Sequence, residues 1–499
     1  MQRRLTDLHV LILLSCIRFV FHLLTNGQYG FHRDALAFLE NGMHLGWGYV
    51  AYPPLTPLIG RIGIELFGLS LVGIKSFAAL AQCIGMVFAG LIAKEMGGGR
   101  QAQVIAAIAT AIAPMSLIMG TLFQYITFDY LWWVMIAYFM LRLLNSDNPR
   151  WWLGIGICIG LGMMTKYTMV VFVAAIVISV LLTNLRRHLF SPWLCGGVAL
   201  SLLIFAPNLL WQFQHDFITL DFLNAIRARD AALGRTEGFL IQQLFINVNP
   251  LTLPLVPIGL YFFFATPKGT RYRAIGWLYV TTMLLFWLAE GRFYYTAPAY
   301  PMLLAAGVVQ GEQWLTRVVE RRQAFIYRIS YGLLTAGATI GVILMLPIGP
   351  VGSPLWDFRN GAHDNFINQV GWEELAETVG SVYEVHKAEH ESLGIISANH
   401  GQVSALNLYG SRYGLPTTIS PYNSFWLRGY GTPTPTALLV IGFPEDVLKP
   451  YFNSCSVVGR IDNHPVAVIP ESQYNFAIFL CSGFRIPLED IWPDVQAFS

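Results

Sequence analysis

Charge is scarce in this sequence. Asp, Glu, Lys and Arg make up 12% of its 499 residues, against about a quarter in ordinary soluble domains. A soluble chain of this length needs more charge to cover its surface, so a water-soluble globule is a poor fit. Apolar residues stand in their place at 55%, and the solvent that accepts such a surface is lipid. Net charge is only +2, which leaves no bulk electrostatic case for nucleic acid. A Gly-rich phosphate loop of P-loop or Rossmann form is also missing, which argues against ATP-driven chemistry. No internal repeat is visible and few charges fall deep in apolar runs. Both absences argue against a transporter, which more often gathers polar groups at the midplane between two related halves. Cysteine is sparse. Cys16, Cys83, Cys158 and Cys195 lie inside apolar runs and read as small core residues. Cys455 and Cys481 lie in the polar C-terminal part, where a disulfide can form if that part faces an oxidising compartment; spacing alone leaves the pairing open.

What is present is a series of apolar segments. A span needs about 20 mainly apolar residues. Candidates run near 8–24, 71–93, 102–120, 128–145, 151–165, 168–184, 193–210, 247–265, 274–289, 295–311 and 327–347. The first follows Met1-Gln-Arg-Arg and resembles a signal peptide. No small-residue cleavage site follows it and many spans come after, so it reads as a retained span. The stretch 151–184 is the ambiguous one.

Basic residues in short loops orient the chain. With the N-terminus inside, inner segments hold Arg3 and Arg4; Lys94 and Arg100; Arg142 and Arg150; Arg186 and Arg187; Lys268, Arg271 and Arg273; Arg317, Arg321 and Arg322. Outer segments hold Arg33, Arg61, Arg227, Arg229, Arg235 and Arg292, diluted over longer stretches with acids. The bias favours an odd span number and puts residues from about 350 onward outside. That tail changes character: Gly394–Ser397 and Ala437–Phe443 read as strands, and Gly401–Tyr409 has helical spacing. The expected architecture is an all-α polytopic membrane bundle of about eleven transmembrane helices over 1–350, followed by a small extracytoplasmic α/β domain over 351–499.

The polar residues of interest gather on the outer side. In the long first loop, 25–70, Leu36, Leu39 and Met43 share a helical face across 33–45, which suggests an amphipathic helix at the membrane surface. Asp34 sits in its first turn, where a carboxylate suits the helix dipole; a plain helix-start role accounts for it equally. Asp129, in Thr127-Phe-Asp-Tyr, opens a span at the outer surface and reads as a cap aided by an aromatic belt or as a functional acid. Lys166 interrupts two apolar runs. It is either an ionisable group at membrane depth, hence a functional candidate, or a snorkelling lysine at a helix end. Arg292, in Glu290-Gly-Arg-Phe-Tyr-Tyr295, can bind a phosphate through its fork of donors or anchor at the interface. Together these carboxylates and cations suit a substrate with an anionic head and an apolar tail.

Several segments resemble those of bacterial membrane glycosyltransferases of the dolichyl-phosphate-mannose–protein mannosyltransferase type, glycosyltransferase family 39, which includes the lipid A aminoarabinose transferase. They are Arg33-Asp34-Ala35, His44-Leu-Gly-Trp-Gly-Tyr49, Pro53-Pro-Leu55, Thr127-Phe-Asp129, Gly162-Met-Met-Thr-Lys166, Pro207-Asn-Leu-Leu-Trp-Gln212, Asn249-Pro-Leu251, Gly291-Arg-Phe-Tyr-Tyr295, Asn399-His-Gly-Gln-Val-Ser-Ala-Leu-Asn-Leu-Tyr409 and Tyr422-Asn-Ser-Phe-Trp426. The resemblance implies a GT-C fold and a sugar donor carried on polyprenyl phosphate. It implies inverting transfer to an envelope acceptor, whether glycolipid, polysaccharide or protein, outside the cytoplasmic (inner) membrane of a bacterium. It implies Asp34 as the general base and Asp129 as a second acid. Lys166 and Arg292 would contact the donor phosphate, with Arg33, Tyr52, His215, Glu290 and Tyr295 as further substrate contacts. His215 also reads as an ordinary loop histidine. Two departures stand out. Ala35 replaces the second acid that many relatives carry after the Asp. Ala51-Tyr52 replaces an acid–base pair linked in some relatives to a divalent metal, which puts a metal in doubt. The alternative reading is a membrane transporter or a flippase for lipid-linked sugars. A non-catalytic scaffold, suggested by the reduced acidic motif, is the third.

Overall fold

A computed structural model describes residues 6–461 and 477–498; Arg3 and Arg4 of the basic N-terminal segment lie outside them. The chain is mainly helical, with one small sheet near its C-terminus. Among the described residues, five helices are long and apolar enough to cross a membrane. These are α1 (Asp7–Thr25), α4 (Leu71–Glu95), α7 (Tyr125–Ser146), α10 (Pro192–Gln214) and the helix Glu320–Met345. Between them lie α2 (Arg33–Met43), α3 (Leu55–Phe67), α5 (Arg100–Ala111), α6 (Pro114–Met119), α8 (Trp151–Met163) and α9 (Met169–Leu181), with α11 (Ile218–Ala232) following α10. Two later apolar segments, Phe239–Asn247 and Pro250–Ala265, meet at a 96° bend.

Several expected spans are subdivided, each for a local reason. The segment 102–120 breaks ahead of Pro114. Proline lacks an N–H and pushes its predecessor out of the helical region, and Ala113 accordingly adopts φ −59°, ψ 132°. The ambiguous stretch 151–184 becomes α8 and α9, parted by a turn at 164–168 that carries Lys166. The segment 295–311 starts as a 3₁₀ turn, Phe293–Ala299, before Tyr300–Leu315 continues as α-helix.

Small residues let helices approach closely where lipid offers no hydrophobic drive. A Cβ placed on Gly156 of α8 would stand 2.2 Å from the Gly197 carbonyl oxygen of α10, so only glycine permits that crossing. Aromatic stacking reinforces the interior: Trp133 of α7 lies parallel to Phe172 of α9, with ring centroids 3.9 Å apart.

The C-terminal sheet has the order β1-β2-β4-β3, from β1 (Leu393–Ser397), β2 (Ala437–Ile441), β3 (Phe452–Arg460) and β4 (Ala477–Phe484). β1 and β2 run parallel and the other pairs antiparallel. The expected strands at 394–397 and 437–443 are β1 and β2. β2 is buried along its whole length, which explains its unbroken apolar run. Cys455 and Cys481 face each other across β3 and β4 and form a disulfide.

This part of the chain packs directly on the first loop. Helix His400–Tyr409, which follows β1, lies against α2. A single apolar cluster joins Phe31, Leu36 and Leu39 to Trp372, Leu375, Ile395, Leu406 and Leu439. The helix expected at 33–45 is therefore present but does not lie open along one face: every residue from Ala35 to Gly42 is buried. Met43, at its end, stays exposed.

Three buried charged side chains fasten the arrangement. Lys75 of α4 donates from Nζ to the Gly30 carbonyl at 2.8 Å and to Gln369 Oε1 at 3.1 Å. Arg359 donates to the Leu346 carbonyl at 2.6 Å and the Tyr29 hydroxyl at 2.8 Å. Glu40 of α2 accepts from Arg428 NH1 at 2.5 Å and from Asn407 Nδ2 at 3.2 Å. Stripping the partner from a buried charge costs about 3–5 kcal/mol, whereas replacing both members with apolar groups is often neutral. Arg428→Met should therefore lower the thermal unfolding midpoint of the purified protein, and Glu40→Leu/Arg428→Met should recover much of the loss.

Candidate active site

A cavity of about 300 Å³ opens where the first loop, the bundle and the C-terminal part meet. Its wall takes residues from α2, the Ala51–Pro53 turn, the start of α7, the turn before α9, α11, the turn 289–295, His400 and the segment Asn423–Phe425. Seven of the nine residues singled out in the sequence line it: Arg33, Asp34, Tyr52, Lys166, Glu290, Arg292 and Tyr295. Five cations, Arg33, Lys166, Arg227, Arg229 and Arg292, face three carboxylates, Asp34, Asp230 and Glu290. The excess of two positive charges suits an anionic head group.

Asp34 stands in the first turn of α2, with 38% of its side chain exposed. His32 caps the helix: its Nδ1 accepts from the Asp34 backbone N–H at 3.2 Å. Gln124 Nε2 donates to Asp34 Oδ2 at 3.3 Å, and His400 Nε2 lies 3.3 Å from Oδ1. Arg33 Nε is 3.5 Å from Oδ1. Burial works against the charge on Asp34, but His32, His400 and Arg33 outweigh it and hold the carboxyl well below the usual carboxylate range. Burial also pushes the His32 imidazole down, against the pull of the Asp34 carboxylate.

Another part of the wall is cationic and aromatic. Lys166 Nζ sits 3.4 Å from the ring centroid of Tyr295 and 5.1 Å from that of Tyr125. It is 94% hidden, being 6% exposed, and its ammonium donates no hydrogen bond among the described residues. Ring faces offset part of the cost of burying a cation but leave its N–H donors available. Arg292 donates from Nε and NH2 to the two oxygens of Asp230, both at 2.6 Å, and from NH1 to the Tyr294 hydroxyl at 3.1 Å. Arg229 and Arg235 each approach Asp230 Oδ1 to 3.5 Å. One carboxylate thus orders three guanidinium groups. Glu290 lies at the rim, bonded to Arg227 at 3.1 Å. Tyr52 presents its ring to the cavity while its hydroxyl accepts from Asn41 Nδ2 at 2.7 Å.

Two sequence candidates stand apart from the wall. Asp129 is buried within α7, accepts from Trp133 Nε1 at 3.1 Å, and acts electrostatically on Lys166 from behind. His215 stacks on Trp211 with centroids 4.0 Å apart and bonds the Trp211 carbonyl at 2.8 Å. Conversely, sequence reasoning did not single out His32, Gln124, Tyr125 and Asp230. Asp230 lies in the mixed run Arg227–Asp230, where nothing local marks it; Gln124 lies three residues ahead of the quoted Thr127 motif. His400 was visible only inside the Asn399-His-Gly segment. Ala51 and Tyr52 supply no carboxylate, and no group of three or more His, Cys, Asp or Glu among the described residues is placed to hold a metal ion.

Residues 51–211 match the sequence profile of the dolichyl-phosphate-mannose-protein mannosyltransferase family. No curated protein sequence matches the chain. Among solved structures, apo ArnT from Cupriavidus metallidurans superposes with a TM-score of 0.57 at 14% identity, covering 95% of this chain and 97% of that one. The same protein bound to undecaprenyl phosphate gives 0.56, with the same identity and coverage. The resemblance carried by the motifs therefore stands: residues 51–211 match the family profile of the dolichyl-phosphate-mannose-protein mannosyltransferases, and nearly the whole chain carries the fold of the GT-C glycosyltransferase ArnT.

Proposed function

We propose that the chain is an inverting glycosyltransferase. It takes a sugar from a polyprenyl-phosphate donor and passes it to a hydroxyl of an envelope glycolipid, glycan or protein at the outer face of a bacterial cytoplasmic membrane. The observation that carries this reading is one cavity lined both by the carboxylate of Asp34 and by the cations Lys166 and Arg292. The match to ArnT, solved with undecaprenyl phosphate, supports the donor class.

In this mechanism the donor phosphate lies at Lys166 and Arg292 and the acceptor hydroxyl at Asp34. The acceptor oxygen attacks the anomeric carbon from the side opposite the phosphate, which inverts the centre. The bond from anomeric carbon to phosphate oxygen breaks, its electron pair stays with the phosphate, and the hydroxyl proton passes to Asp34. The donor phosphodiester carries one charge and the leaving phosphomonoester more. The groups that matter for rate are therefore those that answer this increase. Lys166 answers it with unused N–H donors. Arg292, pre-set by Asp230, answers it with a fork held in place before substrate arrives. Asp129, behind Lys166, would keep that ammonium charged. A carboxylate as acidic as Asp34 is a weak base but is always ionised near neutral pH. It suits a reaction in which the proton leaves late, once the sugar has become strongly electrophilic.

The proposed topology has about eleven spans, an inside N-terminus and residues 351–499 outside, as counted from apolar length and basic loops. The disulfide Cys455–Cys481 supports it, since such bonds persist in oxidising compartments.

Three measurements test this reading. Mass spectrometry of lipids and envelope glycans from cells with and without the gene should show one sugar missing, and complementation by Asp34→Asn should fail to restore it. The loss of general-base help is about 10²–10⁴-fold, so wild-type product levels with that variant would remove Asp34 from its role. Lys166→Gln and Arg292→Gln should each weaken undecaprenyl phosphate binding by about tenfold, as expected for a lost hydrogen bond to a charged group; titration of the purified protein reads this directly. A C-terminal tag should be labelled from outside intact spheroplasts; labelling only after lysis would invert the proposed topology.

A further inference from the structure

The side chains that surround Asp34 come from three separate stretches of chain: His32 and Arg33 beside it, Gln124 at the start of α7, and His400 more than three hundred residues further on. The last is delivered by a three-residue device. Asn399 caps the helix His400–Tyr409, its Oδ1 accepting from the Gly401 N–H at 2.7 Å. His400 is the first helical residue and points to Asp34. Gly401 has no side chain where one would collide. A Cβ there would stand 2.9 Å from Arg33 Cβ and 2.9 Å from Trp372, so its absence lets the helix settle against α2. The Ser404 hydroxyl donates back to the His400 carbonyl at 2.5 Å, and Asn407 bonds Glu40 one turn beyond Ala37 on α2. Each residue of the Asn-His-Gly segment thus serves the approach of one imidazole to one carboxylate.

We infer that His400 is a positioning residue for Asp34, supplied by the C-terminal part, so that the active site is complete only with helix His400–Tyr409 docked on α2. The inference rests on the reading of Asp34 as the base and adds to it what aims that base. Contact with a carboxylate puts the imidazole proton on Nε2. His400 and Gln124 then hold one carboxylate oxygen each, at 3.3 Å and 3.3 Å. That fixes rotation about the Cβ–Cγ bond and leaves a lone pair on each oxygen for the acceptor hydroxyl. His400 keeps only 11% of its side chain exposed, so water competes poorly for the contact. The profile match at 51–211 contains neither partner of this pair.

The charged and titratable groups facing Asp34 are His32, Arg33 and His400, with Tyr125 beyond. Removing His400 takes away one of the groups that hold the carboxyl down. Its pKa then rises toward the ordinary value and activity is lost at a higher pH on the acid side. The test compares full-length wild type, His400→Ala, His400→Gln and Asp34→Asn. Each is purified and mixed with membranes of cells lacking the gene, whose own undecaprenyl-phosphate-linked sugars and acceptors serve as the probe. For His400→Ala the saturating rate should fall about 10- to 100-fold. Its half-saturating membrane concentration and its affinity for undecaprenyl phosphate should stay within about twofold of wild type, and its acid limb should move up in pH. His400→Gln keeps an N–H donor in reach and should regain most of the rate. A wild-type rate in His400→Ala, or equal losses in the Ala and Gln variants with an unmoved acid limb, would overturn the inference. An inactive Asp34→Asn beside a fully active His400→Ala sinks the inference alone; a fully active Asp34→Asn sinks the reading of the base and the inference with it.

Discussion

The organisation of the cavity depends on how α2 is held. An isolated helix of eleven residues is marginal in water, and this one carries Asp34 at its N-terminus, where fraying is easiest. It is held by being buried on all sides. α3 lies against one flank, helix His400–Tyr409 against another, and the apolar cluster through Phe31, Leu36 and Leu39 continues into the C-terminal sheet. The contact of buried Glu40 with Arg428 sets register along the helix, because only one axial position lets both charges find their partners. Lys75 and Arg359 do the same for the chain entering and leaving the region.

The electrostatics of the cavity follow from unequal solutions to one problem, the cost of burying charge. Asp34 remains partly exposed and is surrounded by donors. Arg292 and Asp230 neutralise each other through a two-pronged contact and remain charged. Lys166 lies against ring faces with its donors unspent. With no hydrogen bond among the described residues, its ammonium has much to gain from an arriving anion.

Much of this was legible in the sequence, for identifiable reasons. Apolar length marks the long helices because no other environment tolerates such runs, and the strands β1 and β2 are marked by the same burial. Lys166 and Arg292 stood out because cations between apolar runs are expensive. His215 resembled a site residue only by type; its ring is used up on Trp211, a contact between helical neighbours that nothing in the motif announces. Asp129 read as an acid opening a span at the outer surface; the helix starts earlier, at Tyr125, and packing buries the residue inside it. β3 and β4 escaped notice because β3 is largely exposed along its length, which dilutes the apolar signal that marks the buried strands.

The sequence by itself determined that this is a membrane protein, roughly where its helices run and which short segments carry polar chemistry. Those properties depend on local composition and on neighbours a few residues away. Only the tertiary structure decided that Asp34 meets Gln124 and His400, that Arg292 is forked by Asp230, and that the C-terminal part forms one wall of the cavity. These contacts join residues tens to hundreds of positions apart. Each depends on a packing event, such as the close seat at Gly401 or the burial of Glu40, whose cost and gain are set by the partner surface and not by the residue's own neighbours in sequence.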